Sequence, residues 1–204
     1  MAEVSDLQLF GRFFRLCGAL SAQEVNYNQV GRDIGVTPQT AKRQLDILRL
    51  TFQWIEVPPY SGNTVKRISG KPKGYLSDTG LLCGSLFLSS PEAVPSHPRW
   101  GSIVETFIVL DILKTLSHLN TEPGVYHWRS HGGAEVDLIL EQNGTLFPIE
   151  VKSTYRPTKK DALGIKSFRD TYKNVRTGEG IVIHLGPDNF RIAEGVTAIS
   201  YTCL

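Results

Sequence analysis

Glu135-Val136-Asp137-Leu138-Ile139-Leu140-Glu141-Gln142-Asn143-Gly144-Thr145-Leu146-Phe147-Pro148-Ile149-Glu150-Val151-Lys152 is the stretch that decides how this chain folds. Two apolar runs flank Asn143-Gly144, a dipeptide that accepts the positive φ angles of a two-residue type I′ turn, so the stretch predicts a β-hairpin. With that turn as the loop, Leu140 faces Phe147, Leu138 faces Ile149 and Asp137 faces Glu150. Counting outward, Asp137–Glu150 is a non-hydrogen-bonded pair, its Cα atoms about 4.5 Å apart. Pro148 faces Ile139 at the same kind of position, where its missing N–H costs the ladder nothing.

Two acids directly opposed destabilise a sheet. A divalent cation held between the carboxylates would compensate. Lys152 lies two residues beyond Glu150 and shares its strand face, with Glu135 as its expected partner. Two carboxylates and an ammonium on one face suit metal-assisted phosphodiester hydrolysis by Mg²⁺ or Mn²⁺: the acids bind the ion and leave waters in place, while lysine offsets charge in the transition state. The competing reading is a surface hairpin whose acids point to water and whose Lys152 pairs with Glu135.

Around the hairpin the pattern is mixed. Trp100–Ser117 is apolar almost all round and reads as a buried helix, with Glu105 as an acid that must reach an ion, a partner or solvent. Val125–Arg129 reads as a strand before the hairpin, Thr158–Tyr172 as a helix after it, and Gly180–Leu185 as a buried strand. The order α-β-β-β-α-β implies a mixed sheet, because the helix before the last strand allows a parallel crossover.

The N-terminal part reads as a winged helix-turn-helix. Asp6–Ala19 and Asn28–Ile34 are helices, and Gly35 stops the second. Thr37-Pro38 opens a third, whose Ala41, Leu45, Leu48 and Phe52 form a core-facing stripe. Phe52–Val57 and Thr64–Ile68 read as the strands of a wing. On this reading Gln39 and Arg43 reach DNA base edges, while Lys42, Lys66 and Arg67 hold phosphates; a winged helix used only for packing or protein contacts is the alternative. The proline- and serine-rich Ser89–Pro98 reads as a connecting segment. The expected organisation is therefore a winged helix over 1–88, a linker over 89–98 and a second domain over 99–204, α/β in class and α+β overall.

Composition is that of a globular chain: 204 residues, 41% hydrophobic and 21% charged, with a formal net charge of +2. Seven basic residues against two acids lie between Lys42 and Lys73, and eight against two between Lys152 and Arg176, a distribution that suggests a polyanion partner. Arg129 could meet phosphate near the acids, and Arg156, Lys159, Lys160, Lys166, Arg169 and Lys173 make a candidate backbone-binding face, with plain solvation as the alternative. Three scattered cysteines with no CxxC, an acidic N-terminus without a basic n-region, and no apolar run long enough for a membrane helix lead to a cytoplasmic, non-membrane expectation. No G-x-x-x-x-G-K-[ST] loop is present.

Glu105, Asp137 and Glu150-Val151-Lys152 resemble the helix acid, metal-binding aspartate, second acid and lysine of the PD-(D/E)XK restriction-endonuclease-like superfamily, whose core has the same element order. A longer series is similar to the C-terminal region of a family of prokaryotic AAA-type ATPases: Lys71–Leu82, Gly101–Glu105, Tyr126–Arg129 with Glu135–Asp137, and Pro148–Lys152. Gly74 departs from the bulkier residue expected there. The resemblance implies that Glu105, Asp137 and Glu150 bind Mg²⁺ or Mn²⁺ and that Lys152 assists cleavage of DNA. It also implies that this chain is a fragment or truncated member, with ATP bound only by an ATPase module absent from it and present in cis or in trans. The alternative is a non-catalytic DNA- or protein-binding module that regulates or targets an ATPase. Self-association into homo-oligomers is left open.

Overall fold

The computed structural model describes residues 7–204; Met1–Asp6, on which the expectation of no secretory leader rested, lie outside them. In chain order the elements are α1 (Leu7–Leu20), β1 (Gln23–Glu24), α2 (Tyr27–Ile34), α3 (Pro38–Leu50), β2 (Trp54–Val57), α4 (Thr64–Ser69), β3 (Lys73–Leu76), α5 (Thr79–Ser85) and α6 (Trp100–Leu116). Then follow β4 (Gly124–Arg129), β5 (Glu135–Gln142), β6 (Thr145–Lys152), α7 (Leu163–Thr171), β7 (Gly180–His184), β8 (Phe190–Ala193) and β9 (Val196–Ser200). The fold is mixed α/β, α+β overall. Its residues divide into two compact units, one built from residues 7–56 with Lys71–Thr106, the other from Val57–Gly70 with Phe107–Leu204.

In the first unit the helical pair forms for local reasons. The Asn26 side chain accepts the Asn28 and Gln29 N–H groups at the start of α2, and Gly35, at φ +83°, ends it. Thr37 then caps α3 by accepting Thr40 N–H, with Pro38 in the first turn. Ala41, Leu45 and Leu48 bury against Phe13 and Cys17 of α1 and Val30 of α2. Phe52 does not continue that stripe. Thr51 Oγ1 bonds back to Ile47 O and closes α3, and Phe52 turns outward at φ +58°.

The sheet of this unit runs β1-β3-β2, and β1 pairs antiparallel with β3 (Gln23↔Gly74). The wing therefore differs from its expected form: the strand beyond β2 is Lys73–Leu76, and Thr64–Ile68 lies in helix α4. Thr64, Val65 and Ile68 favour strand by type, but the Asn63 carboxamide accepts the Val65 and Lys66 N–H groups and nucleates a helical turn. Gly74 is explained by packing. A side chain there would occupy the space that the Trp54 indole fills.

In the second unit a six-stranded mixed sheet has the order β4-β5-β6-β7-β9-β8. The hairpin β5–β6 is antiparallel, and the helical crossover through α7 makes β6–β7 parallel, as the element order requires. Two strands read as nothing in particular from the sequence, β8 and β9, extend the sheet, β9 parallel to β7. The expected helix over Thr158–Tyr172 is split: Thr158 and Asp161 form a capping box around a 3₁₀ turn at Lys159–Ala162, and α7 follows. Ile165 and Phe168 of α7 pack on Trp128, Val136 and Val182. Phe107 of α6 is exposed, unlike the fully buried helix expected.

Val57–Gly70 packs with this unit. His127 N–H donates to Pro58 O at 3.0 Å and Tyr60 N–H to His127 O at 2.6 Å, covering the edge of β4. Tyr60 meets Phe168 and Tyr172 edge-on, with ring centroids 5.6 and 5.1 Å away. Residues 89–98, read from the sequence as a linker, include a 3₁₀ turn at Pro91–Ala93, and Val94 packs on the core of the first unit.

Candidate active site at the open end of a hairpin

Asn143 and Gly144 have φ of +51° and +72°, the two positive values that a type I′ loop requires. That turn sets the register: Gln142↔Thr145, Leu140↔Phe147, Ile139↔Pro148 and Leu138↔Ile149 pair as the sequence dictates. The ladder stops there, one pair short of Asp137–Glu150. On its other edge β5 pairs with β4 from Gly124↔Glu141 to Arg129↔Glu135, and on the far edge of β6 Ile149–Lys152 pairs with β7. The two acids are therefore not a closely spaced cross-strand pair, and Glu135 faces Arg129 rather than Lys152.

A side chain takes the place of the next ladder bond. Asp137 and Glu150 are each 4% exposed, and two buried carboxylates on adjacent strands repel. Asp137 Oδ2 accepts the Val151 N–H at 2.9 Å, supplying a partner where the ladder ends.

Lys152 Nζ lies 2.7 Å from Glu150 Oε1, the same-face relation expected from their spacing. Burial works against the Lys152 charge, but the Glu150 carboxylate, with Asp137 and Asp161 behind it, outweighs burial and holds its pKa above the ordinary lysine value. Lys152 is thus an ammonium at neutral pH and has no lone pair with which to act as a base. Helix α7 comes in tightly beside the acids at Gly164, where a Cβ would overlap the Glu135 carbonyl oxygen and lie 3.4 Å from Glu150 Oε2.

Glu105 has protein partners of its own. It belongs to the first unit, where Lys73 Nζ lies 2.6 Å from its Oε1 and Tyr75 Oη donates to the same atom at 2.8 Å. Asp137, Glu150 and Lys152 belong to the second unit. Among the described residues no three His, Cys, Asp or Glu side chains are arranged to hold a metal. Two carboxylates nonetheless fit a magnesium-like ion, which keeps several waters and takes only one or two protein oxygens.

The basic residues fall into different settings. Gln39, Lys42 and Arg43 are exposed on α3, with Lys42 Nζ 2.9 Å from Asp46. Lys66 is exposed on α4. Arg67 is built into the second unit: it lies 2.9 Å from Glu141, donates to Ser61 O and stacks over Tyr60 and Tyr126, at 4.3 and 5.0 Å from their centroids. Arg129, Lys159 and Lys160 are exposed, Arg129 forming a 3.6 Å surface pair with Glu135. Arg169 is held by the Gly178 and Gly195 carbonyls at 2.7 and 2.9 Å. An open groove of about 990 Å³ along α7 is lined by Lys159, Lys166, Arg169 and Lys173 but also by Asp170, Glu179 and Glu194, a nearly balanced charge.

No motif or spacing in the sequence points to His184. It sits beside Lys152 across the β6–β7 ladder, buried. Gly186 N–H donates to its Nδ1 at 3.0 Å, so its proton is on Nε2, 3.0 Å from the Asp188 carbonyl oxygen. His127 is also buried, and His131 is exposed.

No helix among the described residues is long and apolar enough to cross a membrane. Residues 1–92 match a family model described as a domain of unknown function (DUF8612), and residues 100–204 match another, DUF4143. The chain is 28% identical over 171 residues to an uncharacterized protein of Mycobacterium bovis and, to the same extent, to one of Mycobacterium tuberculosis. The alignment takes in 84% of this chain but 37% of each relative's length. No solved structure matches. With its second half spanned by that model, the chain belongs to the family of the domain of unknown function DUF4143.

Proposed function

We propose that this chain is a DNA-associated region of an AAA-type ATPase, and that its second unit hydrolyses phosphodiester bonds of DNA with the aid of Mg²⁺ or Mn²⁺. One observation carries the reading: two buried carboxylates, Asp137 and Glu150, and a protonated lysine meet where a hairpin ladder opens. Asp137 and Glu150 would hold the ion, which when bound polarises a phosphate and lowers the pKa of the attacking water. The Val151 N–H fixes the Asp137 carboxylate. Lys152, leaving Glu150 for a phosphate oxygen, would offset the charge that develops there. Gln39 and Arg43 of α3 would read base edges, with Lys42, Lys66, Lys159 and Lys160 on phosphates. The Mycobacterium relatives are much longer than the matched region, which accommodates an ATPase module in the same polypeptide; a module in trans would serve equally.

Titrating Mn²⁺ into the full chain by calorimetry tests the site. Wild type should bind one ion and Asp137→Asn should lose it; equal binding by both would remove these residues from the site. A second reading is favoured by Asp137 and Glu150 already having protein partners: a non-catalytic DNA- or protein-binding module that regulates or targets the ATPase. It requires salt-sensitive duplex binding with no metal-dependent cleavage.

A further inference from the structure

Beyond Lys152 the chain runs Ser153-Thr154-Tyr155-Arg156-Pro157-Thr158-Lys159-Lys160, with four cations and no acid from Lys152 to Lys160. Tyr155 stands out in it, with 73% of its surface exposed. A single exposed ring is ordinary on a protein surface. This one is mounted on a fixed backbone. Leu185 N–H donates to Thr154 O at 3.0 Å, and Gly186 lies so close to the Tyr155 carbonyl oxygen that a Cβ there would overlap it. Pro157 is buried just beyond. The main chain is therefore anchored on both sides of the ring, while the ring makes no aromatic contact among the described residues.

We infer that Tyr155 is a stacking platform for an unpaired base of single-stranded DNA, and that the substrate presents a single strand or flap at this site. The inference rests on the nuclease reading for its place in a reaction, but the binding stands or falls without cleavage. A rigid exposed aromatic flanked by cations is the pairing that single-strand binders use: the cations follow the phosphates and the ring accepts the face of any base. Within a duplex those faces are covered by neighbouring base pairs and offer the ring nothing. Arg156, Lys159 and Lys160 are all exposed and supply the phosphate contacts.

The test is fluorescence anisotropy on the full chain in chelator, with a labelled oligothymidine of about 12 nucleotides, inside the usual footprint of such sites. Stacking of one base predicts that Tyr155→Ala weakens binding roughly 5- to 150-fold while Tyr155→Phe retains it. Wild type should bind an abasic strand of the same length as weakly as Tyr155→Ala binds oligothymidine, and Tyr155→Trp fluorescence should be quenched on binding. Unchanged affinity in Tyr155→Ala, equal affinity for the abasic strand, or binding confined to duplex would each overturn the inference. If the stacking results hold and wild type fails to nick DNA in Mg²⁺ or Mn²⁺, only the nuclease reading falls. If nicking holds and Tyr155→Ala binds as wild type, only the stacking falls.

Discussion

Lys152→Met keeps the aliphatic stem and deletes the charge, which leaves the Glu150 carboxylate, 4% exposed, without the ammonium 2.7 Å away. Breaking a fully buried ion pair costs about 3–5 kcal/mol. The lysine side chain is 32% exposed, so water screens part of the interaction, and a loss of about 1–2 kcal/mol is expected at pH 7. For a chain of this length that corresponds to a fall of roughly 2–8 °C in Tm. The loss should shrink as pH falls, because protonating a carboxyl removes the buried charge that the ammonium no longer offsets. Glu150→Gln added to Lys152→Met should recover part of the stability. Thermal unfolding followed by circular dichroism on the four members of this cycle, at neutral and mildly acidic pH, measures it. Equal stability of Lys152→Met and wild type at pH 7, or a deficit that Glu150→Gln leaves untouched, would show that the Lys152–Glu150 pair contributes nothing.

Further outcomes follow from the same geometry. The Lys152 pKa is raised in the folded state, so the stability that it contributes is complete below the unfolded lysine pKa of about 10.4 and is lost as pH climbs through the folded value; alkaline unfolding of wild type against Lys152→Met should show the two converging. Gly164→Ala places a methyl group on the Glu135 carbonyl oxygen and should cost about 2 kcal/mol or more in denaturant unfolding, whereas Gly11→Ala, exposed on α1 with nothing within 4 Å, should be neutral or stabilise by about 0.5–1 kcal/mol. Arg67→Ala loses the Glu141 bridge and two ring contacts, and limited proteolysis should then cut within 61–70; Arg67→Lys should rescue little, since an ammonium neither forks nor stacks in the same way.

The hairpin was legible because its turn is a local chemical requirement: Asn143-Gly144 fixes the loop, the loop fixes the register, and the register puts Asp137 and Glu150 on neighbouring strands. The end of the ladder was not legible, since the Val151 N–H leaves it for the Asp137 side chain, a contact that alternation along a strand does not announce. Residue type misled at Thr64–Ile68, where one capping side chain, Asn63, outweighs three β-branched residues. Glu105 was read as an acid that must find a partner, and Lys73 and Tyr75, on a strand some thirty residues earlier in the chain, are two of its partners. No periodicity announces such a contact. Gly74 and Gly164 are likewise explained only by what lies across from them, an indole and a carbonyl oxygen.

The most direct measurement is nicking of supercoiled plasmid by the purified chain in Mg²⁺ or Mn²⁺, with wild type, Asp137→Asn and Lys152→Met compared side by side and a chelator control for each. Metal-dependent nicking by wild type is expected, abolished in Asp137→Asn and strongly slowed in Lys152→Met. Absence of nicking by wild type, or nicking that persists in both variants, would contradict the nuclease reading.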